Sequence, residues 1–164
     1  MIFNTERLFV RQLIFNDLPA FHELESNPEV LKYADGKVKS ITENEKEICD
    51  LISRYSKKNN DFWIYAIIRK SDDAFIGTIA LVKDNYDDEI GYRFLEKYWG
   101  FGYGTEICSG LISYCKRIGM KKLIGYVVND NIASLKILMK NNFIIIDQFL
   151  NDQNQQEIKL ELKL

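Results

Sequence analysis

The chain has 164 residues, 46% of them hydrophobic, and a formal net charge of −2 from 22 basic and 24 acidic residues. That length suits one domain, residues 1–164, with a sizeable core, and the near-balanced charge argues against nucleic acid or an anionic membrane as partner. Cys49, Cys108 and Cys115 form no CxxC pair and the one histidine, His22, is distant in sequence, so neither a metal site nor a disulfide framework is expected. The start lacks a signal-peptide pattern and no run reaches the ~18 apolar residues of a membrane span, which makes the cytoplasm the expected compartment.

Residues 7–13, RLFVRQL, alternate in part and predict a strand. Asn16-Asp17 can cap a short helix carrying Leu18, Phe21 and Leu24, and Pro28 suits the first turn of another through Tyr33. Thr42 and Glu45 have capping-box spacing, and Ile48, Leu51, Ile52 and Tyr55 then follow at helical spacing. The period falls to two in FWIYAIIR (62–69), which predicts a strand hairpinned through Ser71-Asp72-Asp73 to FIGTIALVK (75–83). A polar loop, DNYDD, leads to a short strand, EIGYRF (89–94). The longest helix is expected over about 105–118, with Cys108 and Cys115 as small apolar groups on one face and Gly119 as its stop. A buried strand (123–128), a helix from Asn129–Asn131 to about Asn141, and strands at 143–149 and 156–163 complete the order. Strand 89–94, helix, strand 123–128 reads as a parallel crossover among antiparallel neighbours. The expected class is α+β: a mixed central sheet with helices on both faces. The C-terminal strand is a candidate edge for pairing with a second copy.

Between strand and long helix lies YWGFGYGTE, with Gly100, Gly102 and Gly104 at alternate positions. The first N–H groups of a helix have no partner within it, and glycines let a bulky phosphate reach them. The Walker ending Gly-Lys-Ser/Thr is absent, since Thr105-Glu106 stands there, and the dinucleotide spacing G-x-G-x-x-G is not met. A tight turn and an anion cradle are both compatible with these residues.

WGFGYGTE, together with NDNIASLKILMKNNF, the N-terminal TERLFVRQLIFNDLPAFHEL and the EIGYRF strand, resembles the GNAT acyltransferase superfamily, in particular its ribosomal-protein-alanine N-acetyltransferase branch. The resemblance runs from Thr5 to about Phe143. Gly102 and Gly104 match the cofactor signature, while Trp99 stands where Gln or Arg is usual. The resemblance implies acetyl-CoA as co-substrate. Its pyrophosphate would lie on the backbone of Gly100, Phe101, Gly102, Tyr103, Gly104 and Thr105. Its pantetheine arm would lie between splayed parallel strands and pair with the end of the 89–94 strand, near Phe94 and Leu95, while Trp99 belongs to the phosphate motif. Asn131 and Ser134 match the family's N-x-x-S positions. The family's tyrosine acid falls at Leu138, which leaves that role vacant, and Asn142 replaces a usual glycine.

Acetyl transfer to an amine needs a proton acceptor for the amine and help for the leaving sulfur. Glu89 is the candidate base, with a solvated loop carboxylate beside Asp87 and Asp88 as the alternative. Ser134 is the candidate hydrogen-bond donor to sulfur, with plain helix capping as its alternative. Tyr92 and Tyr103 are read as packing residues, and Phe62, Trp63 and Tyr65 as core or pocket wall. The expected reaction is direct N-acetylation of a primary amine, a protein N-terminus or a small amine. The rival reading is a catalytically idle CoA-binding module.

Overall fold

The computed structural model describes residues 1–34 and 36–164. The N-terminal half runs β1 (Phe3–Asn4), β2 (Leu8–Gln12), α1 (Leu18–Glu25), α2 (Pro28–Leu31), α3 (Ile41–Arg54), β3 (Phe62–Arg69) and β4 (Ala74–Asp84). Then follow β5 (Asp87–Phe94), α4 (Tyr103–Arg117), β6 (Lys122–Val128), α5 (Ile132–Lys140), β7 (Ile144–Leu150) and β8 (Gln156–Lys163). The strands form one sheet in the order β1-β2-β3-β4-β5-β6-β8-β7. Among the described residues β5 and β6 pair in parallel and the other neighbours are antiparallel. The mixed α+β class and the crossover through α4 are therefore as expected.

Helices cover both faces because the central strands are apolar on both. In β3, Ile67 packs into the cluster that holds Ile107, Cys108, Leu111 and Cys115 of α4. Its neighbours Ala66 and Ile68 turn the other way, onto Phe21 of α1 and Ile48 and Leu51 of α3. Each such isoleucine contributes about 1.5–3 kcal/mol when buried. Burial also pushes the Cys108 and Cys115 thiols up to about 12, which keeps them neutral and unreactive. Tyr55 at the end of α3 ties the layers together: its hydroxyl accepts the Leu13 N–H at 3.0 Å and donates to the Ile64 carbonyl.

Several boundaries differ from expectation. The capping box is Ser40 with Glu43, two residues before the Thr42–Glu45 frame. Both frames have the same spacing, and the earlier start adds residues to α3. Asp17 stands at the start of α1 without capping it; its carboxylate takes the Arg11 guanidinium through two 2.7 Å bonds and the Ile14 N–H at 2.9 Å. The polar loop before β5 shrinks to Asn85-Tyr86, because Asn85 accepts φ 55° and closes a tight hairpin with Asp84 opposite Asp87. Asp87 and Asp88 are thus strand residues, paired with Lys122 and Lys83 at 2.6 Å each. Gly119 (φ 85°) and Asn142 (φ 67°) end their helices in the left-handed region, as expected. The C-terminal strand β8 is interior, because β7 folds back outside it. The edge on that side is β7, with Ile144, Ile145, Ile146 and Leu150 all open to solvent.

Candidate active site

The site begins where the sheet fails to close. β4 and β5 share eight residue pairs, whereas β5 and β6 share one, Glu89 opposite Ile124. Beyond it the two strands diverge. The Leu95 N–H is bonded to the Ile76 carbonyl at 2.9 Å, so Leu95 and Arg93 turn their main-chain groups toward β4. By alternation, Tyr92 and Phe94 turn theirs into the gap. The Phe94 carbonyl there accepts the Trp99 indole N–H at 2.8 Å.

A cavity of about 440 Å³ passes through this gap. On the α1/α3 side it is walled by Phe21, Glu25, Tyr33, Lys39, Phe62 and Glu89; on the α5 side by Tyr92, Asn131, Ser134 and Leu138. Phe62 and Ile64 supply the β3 wall, while Trp63 and Tyr65 stack with Tyr55 instead. The structure thus brings Glu89 and Ser134 to one cavity from opposite faces of the sheet. A second, shallower groove shares Glu89, Tyr126 and Glu157 with it and runs out along Phe149 to Asp152.

Glu89 is half-buried and makes no hydrogen bond or ion pair among the described residues. Burial raises its pKa, and the nearby charges of Asp84 and Glu157 push the same way, against Lys159. A half-buried carboxyl with a raised pKa differs from a fully solvated turn residue and is a candidate proton acceptor. At the far end of the cavity, Glu25 is buried and paired with Arg93 (2.9 Å) and Lys39 (3.6 Å), so its carboxylate is already neutralised.

Ser134 sits in the first turn of α5. Asn131 caps that helix, accepting the Ser134 N–H on its side-chain oxygen at 3.1 Å. The Ser134 hydroxyl does not serve the backbone. It meets the Tyr92 hydroxyl at 3.2 Å. Leu138, one turn on, fills the space over Gly125, where a Cβ would stand 2.9 Å from its Cδ1.

The glycine stretch has two separate causes. Gly100 and Gly102 adopt φ 81° and 78°, and Gly102 is the N-cap of α4, which begins at Tyr103 rather than at 105. Gly104 serves packing: a Cβ there would lie 2.6 Å from Ile137 Cδ1. The first helical bond runs from the Glu106 N–H to the Gly102 carbonyl, at 3.2 Å. The N–H groups of Tyr103, Gly104 and Thr105 therefore precede the helical ladder. Nothing lies within 4 Å of a Cβ position at Gly100, so the cradle is open on that side. Glu106 points away into a clamp: it accepts the Thr5 hydroxyl (2.6 Å), the Arg7 N–H (2.8 Å) and the Arg7 Nε (2.6 Å). Arg7 also donates to the Phe101 carbonyl at 2.9 Å and lies over the Tyr103 ring. Sequence reasoning missed this clamp and the Tyr92–Ser134 contact, since partners 99 and 42 residues apart leave no local pattern.

Residues 7–144 match the sequence profile of the GNAT acetyltransferase domain. The chain belongs to the GNAT acetyltransferase family. It is 31% identical over 147 residues to the uncharacterized N-acetyltransferase YoaA of Bacillus subtilis, covering 87% of this chain and 82% of that one. RimL, a ribosomal L7/L12 alpha-N-protein acetyltransferase solved with coenzyme A, superposes with a TM-score of 0.85 at 18% identity, covering 98% and 96% of the two chains. Spermidine N-acetyltransferase from Vibrio cholerae, solved with CoA and spermine, gives 0.79 at 18% identity over 96% and 95%. The structural matches share the GNAT fold; the profile and YoaA carry the membership. The chain is accordingly a GNAT-type N-acetyltransferase.

Proposed function

We propose that this GNAT domain binds acetyl-CoA along the α4/α5 side of the gap and transfers its acetyl group directly to a primary amine held on the α1/α3 side. One observation carries the reading: a single strand pair, Glu89 with Ile124, ends at a through-going cavity with Glu89 on one side and Ser134 on the other. The donor supplies an activated thioester. The N–H groups of residues 103–105, with glycines at 100, 102 and 104, suit its pyrophosphate. The outward main-chain groups of Tyr92 and Phe94 suit an amide-bearing arm. Trp99 has its N–H committed to Phe94, so it offers ring surface rather than a donor. The main-chain N–H of Leu95 is spent on β4, so its part is to hold the strand end in place.

The amine must be neutral to attack. Glu89 takes its proton, directly or through one water, as the C–N bond forms and the C–S bond breaks. Ser134 gives a hydrogen bond to the departing sulfur. Among the described residues, four carboxylates (Glu25, Glu47, Glu89, Glu157) and two cations (Lys39, Arg93) line the cavity, a balance that draws in a cationic amine. The groove beyond Glu89 gives an extended chain a way out, which favours a protein N-terminus. The excess of carboxylates favours a small polyamine as the second reading. RimL and the spermidine enzyme are named for one acceptor of each kind.

The test is mass spectrometry of acceptor pools incubated with acetyl-CoA: N-terminal peptides, polyamines and aminoglycosides. An acetylated product in one pool supports transfer and names the acceptor class. CoA binding with silence in every pool would favour the idle-module reading.

A further inference from the structure

Resting on that reading, we propose that Tyr92 is a positioning residue for the leaving group: its phenol donates to the Ser134 oxygen and so leaves the serine hydrogen free for the CoA sulfur. The Ser134 main chain is fixed by Asn131, with the N–H held at 3.1 Å, and the side chain keeps a free rotor. A lone serine would turn its hydrogen toward whichever acceptor is nearest. The Tyr92 hydroxyl stands 3.2 Å from Ser134 Oγ on the wall of the same cavity, where either oxygen can donate; with the phenol as donor, it fills one of the serine lone-pair sites. A serine that accepts there has its own hydrogen to spend elsewhere, and each bond in such a chain polarises the next.

The surroundings hold the phenol in its donor form. Burial raises the Tyr92 pKa, the Ser134 contact lowers it only in part, and Cys108 of α4 adds to the rise. Cys108 is itself neutral, its thiol pushed up to about 12 by burial. From β5, Glu89 faces the same cavity, but its side chain lies on the opposite face of the sheet from Tyr92, by the alternation of odd and even residues. No proton needs to cross the pair. The amine proton goes to Glu89, the C–N bond replaces the C–S bond, and the sulfur leaves as thiolate to be protonated by water. Leu138 offers no hydroxyl at the α5 position one turn on, so Tyr92 reaches the site from the strand instead.

The experiment measures thiolate recognition without any acceptor. CoA and desulfo-CoA are titrated calorimetrically into the full chain from about pH 7 to about pH 9, across the ordinary thiol range. Desulfo-CoA lacks the sulfur and corrects for every other titrating group. In the unaltered protein the CoA preference over desulfo-CoA should grow about tenfold across that span, as a charge-assisted bond to thiolate forms. Tyr92→Phe keeps the ring, and should lose most of that growth while binding desulfo-CoA unchanged. Ser134→Ala should lose it fully, and the double variant should lose no more than Ser134→Ala alone. A Tyr92→Phe protein with the unaltered pH slope overturns the proposal, as do additive losses in the double variant or an unaltered protein with no slope. Failure to bind either ligand overturns the acetyl-CoA reading itself, and this inference with it.

Discussion

Glu89 and Gly102 show what single residues decide. On the proposed mechanism Glu89→Gln removes the proton acceptor and should lower kcat/KM by about 10²–10⁴-fold with acceptor KM little changed. The same change has an opposite effect on stability. A carboxyl whose folded pKa is raised binds its proton more tightly folded than unfolded, so it costs stability as pH climbs past its unfolded value. Glu89→Gln should therefore raise Tm at pH 7, with the gain fading toward pH 4; equal loss of Tm and activity would refute the assignment. The rate of the unaltered enzyme should fall with acidification at a pH above the ordinary Glu value, because the base is then protonated. Gly102→Ala forces a Cβ into φ 78° and should cost about 1–2 kcal/mol by thermal melting, with weaker CoA binding. Glu89, Ser134 and the three glycines could be picked out in the sequence as candidates because each sits in a short motif, and the structure brings Glu89 and Ser134 to one cavity. Tyr92 was legible only as an aromatic on a strand. Its role depends on which helix crosses it.

At the scale of elements, two contacts set the geometry of the site. Where β4 passes β5, Gly77 lies so close that a Cβ would stand 2.1 Å from the Arg93 carbonyl oxygen. Backbone cannot yield as a side-chain tip can. Gly77→Ala should cost about 1–3 kcal/mol, read from denaturant midpoints, and shift the strand that carries Glu89 and Tyr92. The second contact is the N-terminal clamp on α4. Burial raises the Glu106 pKa, but the Thr5 hydroxyl and the Arg7 N–H and guanidinium outweigh it and hold the carboxyl below its ordinary value. Stability from that pairing is present above the unfolded pKa of a glutamate and is lost as pH falls through the lower folded one. Glu106→Gln should therefore lower Tm at pH 7, by an amount that shrinks as pH falls below the ordinary glutamate range. It should also weaken CoA affinity at neutral pH, since the loop is no longer tied to Arg7. Sequence periodicity located the strands and helices to within a few residues. It misplaced the cap of α3 because two local frames of the same spacing competed, and that of α1 because the Asp17 carboxylate is spent on Arg11 and the Ile14 N–H.

For the whole molecule, the gap between β5 and β6 is where the proposed acetyl-CoA would lie. A bound acetyl-CoA that occupies it should stabilise the folded state only. At a hundredfold excess over Kd this is about 2.7 kcal/mol, or a Tm rise of about 5–11 °C, against no shift with ATP or NAD. An equal response to ATP would return the glycine loop to a general phosphate cradle. By itself, the sequence determined the fold class, the order of the helices and of the strands other than the two-residue β1, the two-faced core and the GNAT resemblance. All of these follow from period, turn residues and motif spacing, which are local or nearly so. Tertiary structure alone decided that β7 and not β8 forms the edge. It also decided that Arg7 and Glu106 lock the loop, and that Glu89 and Ser134 meet through one opening. The reason is physical: those relations join residues far apart in the chain, and a sheet that splays after one pair has the same local pattern as one that closes.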